Sequence, residues 1–256
     1  MPENSVELGD FLRARRERLT PRSVGLPEGR RRRTPGLRRE EVAELAGIGV
    51  DWYIRLEQGR SASPSRGTVE ALARALRLNR AEHAHLRALT QPSERPPVGQ
   101  ETVPQTVRRI VERLNQPAYV TGRRWDVLAW NQAADEVFAF SRTKAEDRNS
   151  LVTVFTNKHA RRMFGGEWEN EARRMLAQFR RIADLHAGDP AFQQLIARLR
   201  KESKEFAAWW RAHDVHQSGG GRKEMHHPRK GVLRFDYASF QVHDEPGLKL
   251  VIYTPV

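Results

Sequence analysis

Apolar side chains in residues 1–90 recur every three or four positions, as they do along amphipathic helices. Residues 6–19 hold the first such stripe. Residues 20–36 contain three prolines, three glycines and four successive arginines, which predicts a loop. The stripe resumes at Leu37 and continues, apart from two turns, to about Leu89, so a small all-α domain is predicted. The first helix is expected to place its basic residues away from its apolar stripe: Arg13, Arg15, Arg16 and Arg18.

Two of the predicted helices meet at Gly47-Ile48-Gly49. A short turn of this kind lets two apolar faces meet at a steep angle, which is the helix-turn-helix arrangement. Gly47 is expected to adopt the left-handed conformation that ends the first helix, and Gly49 starts the second helix with weak capping. The facing apolar residues are Leu37, Val42, Leu45 and Ala46 on the first helix, and Ile48, Tyr53 and Leu56 on the second.

Residues 91–104 contain four prolines and are predicted to be an interdomain linker. Residues 105–256 then mix two patterns: apolar residues every three or four positions, as in helices, and apolar residues at alternate positions, as in strands. A hairpin is predicted across residues 118–131, around Gly122-Arg123. Helices are predicted near residues 107–114, 168–186, 190–199 and 206–213. For the tail, a break is expected at 225–231, one or two strands at 231–242, and a last strand at 248–256. The second domain is therefore predicted to be α+β.

Composition narrows the class of partner. The chain carries 45 Lys and Arg against 32 Asp and Glu, a net charge of +13, which favours a polyanion such as nucleic acid. An arginine-rich codon bias would also explain it, because residues 1–90 contain arginine and no lysine. The absence of cysteine excludes disulfides and thiolate metal sites. With no secretory signal and no long apolar run, a cytoplasmic, nucleoid-associated protein without membrane contact is expected.

Specific stretches resemble a known family. The sequences RRRTPGLRREEVAELAG and DWYIRLEQGR resemble Xre-type, lambda-repressor-like DNA-binding domains. The second half resembles the MmyB-like (MltR-type) ligand-binding domain in AYVTGRRWDVLAWNQAA, RNSLVTVF, WWRAHDV and HHP. The resemblance covers nearly the whole chain. It implies a regulator with a helix-turn-helix domain at 1–90 and a PAS-like ligand-binding or dimerisation domain at 105–256. A homodimer on a two-fold related site is expected separately, because a DNA-binding module of this size usually needs a second copy for affinity.

In such a module the second helix of the pair, here about residues 50–58, enters the major groove of duplex DNA. Arg55 matches the O6 and N7 acceptors of guanine. Asp51 would accept a hydrogen bond from cytosine or orient Arg55 instead; the alternative for Arg55 is a solvated side chain paired with Asp51. The predicted base contacts are Val50, Asp51, Trp52 and Arg55.

Phosphate contacts would position the module without specifying sequence. For the arginines at 38 and 39, local salt bridges to Glu40 and Glu41 are the competing interpretation. For residues 30–33, a merely flexible basic loop is equally compatible with the sequence. The predicted phosphate contacts are Arg31, Arg32, Arg38, Arg39, Arg60, Ser61 and Ser65.

The second domain is rich in large rings, which usually form ordinary core. The family resemblance implies a pocket and an apolar ligand such as a fatty acid. Asn131 is interpreted first as a helix cap, and His213 first as a core histidine. Asn149 and His227 are further polar candidates. The predicted ligand contacts are Tyr119, Trp130, Asn131, Phe155, Trp168, Phe179, Arg180, Phe206, Trp209, His213 and Phe235.

No nucleophile elbow, P-loop or dinucleotide-binding glycine pattern is present, so no enzyme activity and no cofactor are predicted. A metal site formed by His213, His216, His226 and His227 is a minor alternative. The sequence thus predicts a DNA-binding transcription regulator that senses an apolar small molecule. The alternative is a regulator whose second domain serves only dimerisation or a protein partner.

Overall fold

A computed structural model describes residues 3–27, 36–60, 64–90, 99, 101–212 and 221–256. The chain forms two compact units. The first comprises residues 1–95 with 184–189 and 208–216, and the second comprises 96–183, 190–207 and 217–256. The predicted linker, 91–104, falls mostly outside the described residues.

The first unit is helical, as predicted. Its apolar stripes close around a core that includes Phe11, Leu12, Val42, Tyr53 and Leu72. The described residues up to Thr90 form five α-helices: α1 (Glu3–Arg18), α2 (Arg39–Ala46), α3 (Val50–Glu57), α4 (Arg66–Ala75) and α5 (Arg80–Thr90).

The corner between α2 and α3 has the predicted backbone. Gly47 has φ 65° and ψ 36°, the left-handed conformation in which a Cβ is costly. Gly49 is the N-cap of α3 in an extended conformation and, having no side chain, leaves that cap without a side-chain hydrogen bond. The prediction of a glycine-hinged helix pair is confirmed. One apolar assignment is wrong, because Leu45 lies at the edge of its face and is 37% exposed.

Helix α1 departs from the prediction at its arginines. Arg15 and Arg16 were expected on the solvent side, yet each is only 4% exposed. They extend the buried stripe of Phe11 and Leu12, and burial is tolerated because both charges are paired. Arg15 Nη1 lies 2.9 Å from Glu82 on α5, and Arg16 reaches Glu57 on α3.

The second unit holds seven helices and five strands within its described part. The helices are α6 (Gln105–Arg113), α7 (Gln132–Phe138), α8 (Ser150–Thr156), α9 (Lys158–Phe164), α10 (Trp168–Leu185), α11 (Pro190–Glu202) and α12 (Lys204–Ala212), although the last residues of α10 and α12 are grouped with the first unit. The strands are β1 (Ala118–Thr121), β2 (Val127–Trp130), β3 (Gly221–His227), β4 (Gly231–Gln241) and β5 (Lys249–Pro255).

The strands form one antiparallel sheet in the order β2-β1-β5-β4-β3. The predicted hairpin is confirmed, because β1 pairs with β2 across the turn at Gly122. The predicted break at 225–231 is present but shorter, a turn at 228–230, because β3 runs to His227 and β4 starts at Gly231. His227 Nδ1 accepts the backbone N–H groups of Arg229 and Lys230, at 3.2 and 3.0 Å, and so closes a tight turn.

Asparagines start the three short helices that hydrophobic periodicity did not identify. The side chain of Asn131 accepts the backbone N–H of Ala134 at 2.9 Å and caps α7, which confirms the cap interpretation. Asn149 caps α8 and Asn157 caps α9 in the same way. An asparagine cap satisfies backbone donors that a helix start leaves free, so these side chains are explained by the fold.

The two glycines of the corner provide a test of this backbone. We expect Gly47→Ser to lower the free energy of unfolding of the first unit by about 1 kcal/mol, because the new Cβ is forced into the left-handed region. Gly49→Ser should instead raise it by roughly 0.3 kcal/mol, because serine supplies the missing side-chain cap and glycine is already a fair N-cap residue. Amide hydrogen exchange of α2 and α3 measures both. Equal effects of the same sign would contradict the assigned conformations.

Candidate nucleic-acid interface and ligand cavity

Helix α3 presents an outward face built from its own periodicity. Tyr53 and Leu56 are buried, at 0% and 1% exposure, and fix which side faces the core. Asp51 and Arg55, one turn apart, are exposed, and Val50 lies beside them at the start of the helix. Trp52 is half-buried and packs against the core of the unit. Three of the four predicted base contacts, Val50, Asp51 and Arg55, therefore share an exposed surface, and the indole of Trp52 lies at the edge of that surface.

Arg55 projects from this surface, and no described residue is its carboxylate partner. In the described part of the chain, no hydrogen bond or ion pair joins it to Asp51, although the two are four residues apart on one helix. The competing interpretation was a solvated Arg55 that forms an ion pair with Asp51, and the described residues do not show that pair. A guanidinium that is exposed and unpaired retains its donors for an external acceptor such as guanine O6 and N7.

The predicted phosphate contacts lie in several environments. Arg38 and Arg60 are exposed at the ends of the helix pair. Ser65 caps α4, accepting the backbone N–H of Thr68 at 3.3 Å, and remains exposed. Arg39 is half-buried and donates to Glu57 at 3.2 Å, so its partner is neither Glu40 nor Glu41. The other three lie outside the described residues: Arg31, Arg32 and Ser61.

Glu57 gathers arginines from two other helices. Its carboxylate, with 0% side-chain exposure, accepts from Arg16 Nε at 3.0 Å and Arg16 Nη2 at 2.7 Å. Arg16 Nη1 also donates to the carbonyl of Leu37 at 2.9 Å. Arg13 and Arg39 approach the same carboxylate from more exposed positions, at 3.4 and 3.2 Å. One negative charge is thus surrounded by three positive ones at the end of α3.

The neighbouring arginines keep the carboxyl group of Glu57 ionised. Burial raises the pKa of its carboxyl group, but the hydrogen bonds and charges of Arg16 and Arg39 outweigh burial, so the pKa is lowered from the usual 4.5. A charged Glu57 holds the C-terminal end of α3 against α1 and fixes the side chain of Arg39. Sequence reasoning missed Glu57 on α3 and its partners Arg16 and Arg13 on α1. The signal for Arg16 is its position four residues after Leu12, on the apolar stripe of α1.

The second unit contains a cavity of about 100 Å³ between its sheet and α10. The sheet side uses the period of two: alternate residues of β1, β5, β4 and β3 point to one face. The helix side uses the period of 3.6, because Glu171, Arg174, Met175 and Gln178 follow i, i+3, i+4 and i+7 spacing. The sheet residues are Tyr119, Thr121, Lys223, Tyr237, Ser239, Lys249, Val251 and Tyr253; Trp125 and Ser150 complete the lining.

One part of the cavity holds a cluster of paired charges. Glu171 accepts Arg174 Nε at 3.0 Å and lies 2.6 Å from the ammonium of Lys223. Arg174 also donates to the hydroxyl of Tyr237 at 2.7 Å. Burial raises the pKa of Glu171, but the charges of Lys223 and Arg174 outweigh burial, so the pKa is lowered. This cluster is a fixed, charged wall.

Tyrosine hydroxyls line the cavity beside that cluster. Tyr119 and Tyr253 face each other with their oxygens 3.4 Å apart. Burial raises the pKa of both hydroxyl groups, so they remain protonated at neutral pH. They offer neutral donors and acceptors toward the cavity.

Of the predicted ligand contacts, Tyr119 alone is part of the described cavity lining. Phe155 packs edge-on against both Trp168 and Phe206, and Phe179 stacks on Phe192. Arg180 is completely buried and lies outside the cavity lining. The others are placed as follows: Trp130 and Phe235 in the sheet core, Asn131 at its cap, Trp209 on α12, and His213 outside the described residues.

Sequence reasoning missed the charged residues of the cavity. The signal was present on α10, where Glu171, Arg174 and Gln178 occupy the positions expected of one helical face. Lys223 and Lys249 have a weaker signal, because a lysine alternating along a strand resembles a solvent-facing residue. The predicted ligand contacts were mostly aromatic residues, so these charged residues were not among them.

Each part of the chain matches a known protein family. Residues 103–256 match the family described as the MmyB-like transcription regulator ligand binding domain, which covers more than half of the chain. The chain belongs to the MmyB-like transcription regulators. Residues 7–86 of this regulator match a helix-turn-helix domain family. No curated protein matches the chain.

These matches make the chain a DNA-binding transcription regulator with a ligand-binding domain, and neither family describes an enzyme. The outward face of α3 belongs to the helix-turn-helix match, and the cavity belongs to the match with the ligand-binding domain. Among the described helices, none has the length and apolar character needed to span a membrane.

The buried carboxylate of Glu57 can be tested by removing its charge. We expect Glu57→Gln to lower the stability of the first unit by about 3 kcal/mol or more, because Arg16 is left buried and unpaired. Amide hydrogen exchange in α1 and α3 gives the value. Glu40→Gln, at an exposed site, is the matched control and should behave like the parent chain. Similar protection in both variants would show that the ion pair is unimportant.

The carboxylate of Glu57 also predicts how the stability of the first unit changes with pH. A lowered pKa means that the stabilising effect of Glu57 is fully present above the usual value of 4.5 and is lost as the pH falls below it. Acid unfolding of the parent chain should therefore be steeper below that pH than acid unfolding of Glu57→Gln. Parallel curves would contradict the assignment.

Proposed function

We propose that this regulator recognises specific duplex sites through the exposed face of α3 and adjusts its DNA affinity when a small molecule occupies the cavity. Arg55 reads a guanine, with Asp51 and Val50 at neighbouring base edges and Trp52 against the wall of the groove. The observation that supports this most is an exposed arginine without an ion-pair partner in the described part of the chain, on the helix that follows the Gly47 corner.

Cations around α3 support backbone contacts. Arg38, Arg60 and the partly exposed Arg13 and Arg39 lie on helices that meet α3 or just after it. We propose that they contact phosphates together with Ser65, and also with Arg31, Arg32 and Ser61. Such contacts release counterions, so the affinity falls steeply with salt.

One module of this size offers few base contacts, and related modules bind as dimers to two-fold sites. We propose a homodimer acting at the nucleoid in the cytoplasm. The formal charge of +13 favours the approach to DNA but gives no sequence preference.

The ligand is proposed to be a non-covalent organic molecule with an apolar part. The apolar side chains Trp125, Met175 and Val251 support that part, while the charges and hydroxyl groups beside them support a polar group in the same molecule. By linkage, the ligand changes DNA affinity only if it binds the DNA-competent state and the incompetent state differently.

Selection from a random duplex pool, followed by affinity measurement on the full chain, tests the DNA-binding proposal. We expect Arg55→Ala to weaken binding to the selected site by about 1–3 kcal/mol and to reduce its preference over random duplex. Arg200→Ala on α11 is a matched control, since it removes the same charge from an exposed position of the second unit.

Equal losses in the two variants would mean that only net charge matters, and no enriched site in the selection would contradict sequence recognition. Native mass spectrometry of the full chain separates ligand sensing from the alternative of a purely dimerising domain. A retained or added small molecule of defined mass supports sensing, whereas dimers that accept none favour the alternative.

A further inference from the structure

We infer that the cavity recognises a small organic anion, whose carboxylate is bound by Lys249. This inference rests on the proposed ligand-sensing function and names the ligand class for that site. It differs from the long apolar ligand that the sequence predicted. Four observations support it: the charge balance of the cavity, the state of Lys249, the local backbone and the size of the space.

The cavity has an excess of positive charge. Its lining contains three cationic side chains and one carboxylate. Arg174 and Lys223 share that carboxylate, Glu171, so the charged wall already contains more positive charge than negative charge. Adding Lys249 gives the lining a formal charge of +2, from three positive charges and one negative charge. An anion is the ligand that this balance favours.

Among the cations of the cavity lining, Lys249 is the one that has no partner within the described residues. Within the described residues, no ion pair or hydrogen bond involves its ammonium group, while Lys223 contacts Glu171 at 2.6 Å. Burial, and then the nearby charge of Arg181, lower the pKa of Lys249 from its usual 10.5. A partly desolvated and unpaired ammonium group gains more from a bound carboxylate than a solvated one does.

The surroundings of Lys249 fit a carboxylate with a ring or short chain attached. Lys249 lies opposite Thr121 in the sheet, and both side chains line the cavity. Gln178, Ser150 and Ser239 add neutral polar groups to the lining. The indole of Trp125 supplies an apolar wall. A monoanion with an apolar body satisfies both kinds of surface.

The backbone at this end is strained. Trp125 has φ 68°, a conformation that bulky residues rarely adopt, and the pairing of β1 with β2 shifts its register beside Thr121. The strain is maintained where the hairpin turn meets α8, since Ser150 N–H donates to the carbonyl of Trp125 at 3.0 Å. Strained backbone concentrates at ligand sites, because it presents a side chain that relaxed backbone would not.

Size limits the ligand. The cavity of about 100 Å³ is smaller than the engineered apolar cavity of about 150 Å³ that accommodates benzene. Such a space favours a small body beside the carboxylate, a short chain or a single ring that stays partly outside the cavity, over a long acyl chain.

Matched pairs of probes on the full chain test the inference. Isothermal titration would compare benzoate with benzamide, hexanoate with hexanamide, and myristate with myristyl alcohol, with inorganic phosphate as the anion lacking an apolar body. We expect at least one small carboxylate to bind 10-fold or more tightly than its amide. Lys249→Gln should remove that preference, while Lys201→Gln, an exposed control on α11, should keep it within 2-fold.

Equal binding of acid and amide, a preference that survives Lys249→Gln, or binding of phosphate alone would each overturn the inference. Binding of myristyl alcohol without any small carboxylate would also overturn it, while leaving small-molecule sensing in place. If no probe binds, the anion inference fails; DNA affinity measured on the same samples then shows whether the DNA-binding proposal still stands.

Discussion

The first unit depends on one buried ion pair. Glu57 lies at the C-terminal end of α3, and Arg16 reaches it from α1 with two hydrogen bonds of 3.0 and 2.7 Å. Replacing such a pair with apolar residues is often harmless, so its value lies less in net stability than in a defined geometry. Because Arg16 also donates to the carbonyl of Leu37, it joins α3 to the segment that precedes α2. The inner side of α3 is thereby held, and its outer side stays exposed to a partner.

In the second unit, too, buried ion pairs hold some charged side chains in place while another stays available to a partner. The sheet and α10 each have one face defined by periodicity, and the cavity forms where polar members of those faces meet. Glu171 is the counterpart of Glu57: a buried carboxylate that keeps two cations in place. The difference is Lys249, which has no such counterion among the described residues. In both units we propose that a cation without a counterion among the described residues is available to an external molecule, Arg55 to a base and Lys249 to an anion.

Local rules were sufficient for much of the fold. Gly47 was recognised because a helix end needs the left-handed conformation, Asn131 because it can cap, and the hairpin because strand residues flank Gly122. Buried charge was not recognisable in this way: Arg16 is acceptable inside only because Glu57, 41 residues away, meets it there. The strand through His227 was missed for a related reason, since its pairing with β4 and the histidine-capped turn outweigh a polar composition. Lys249 required knowledge of which sheet face α10 covers.

The central claim is that the outward side of α3 touches base edges in the major groove. Dimethyl sulfate methylates guanine N7 in that groove, so a protection experiment on the selected duplex observes the contact itself. The account predicts that the bound protein protects a guanine in each half-site, and that Arg55→Ala, at concentrations that restore occupancy, leaves the same guanine reactive. Guanines that stay reactive under the parent protein, or protection that is unchanged in the variant, would contradict it.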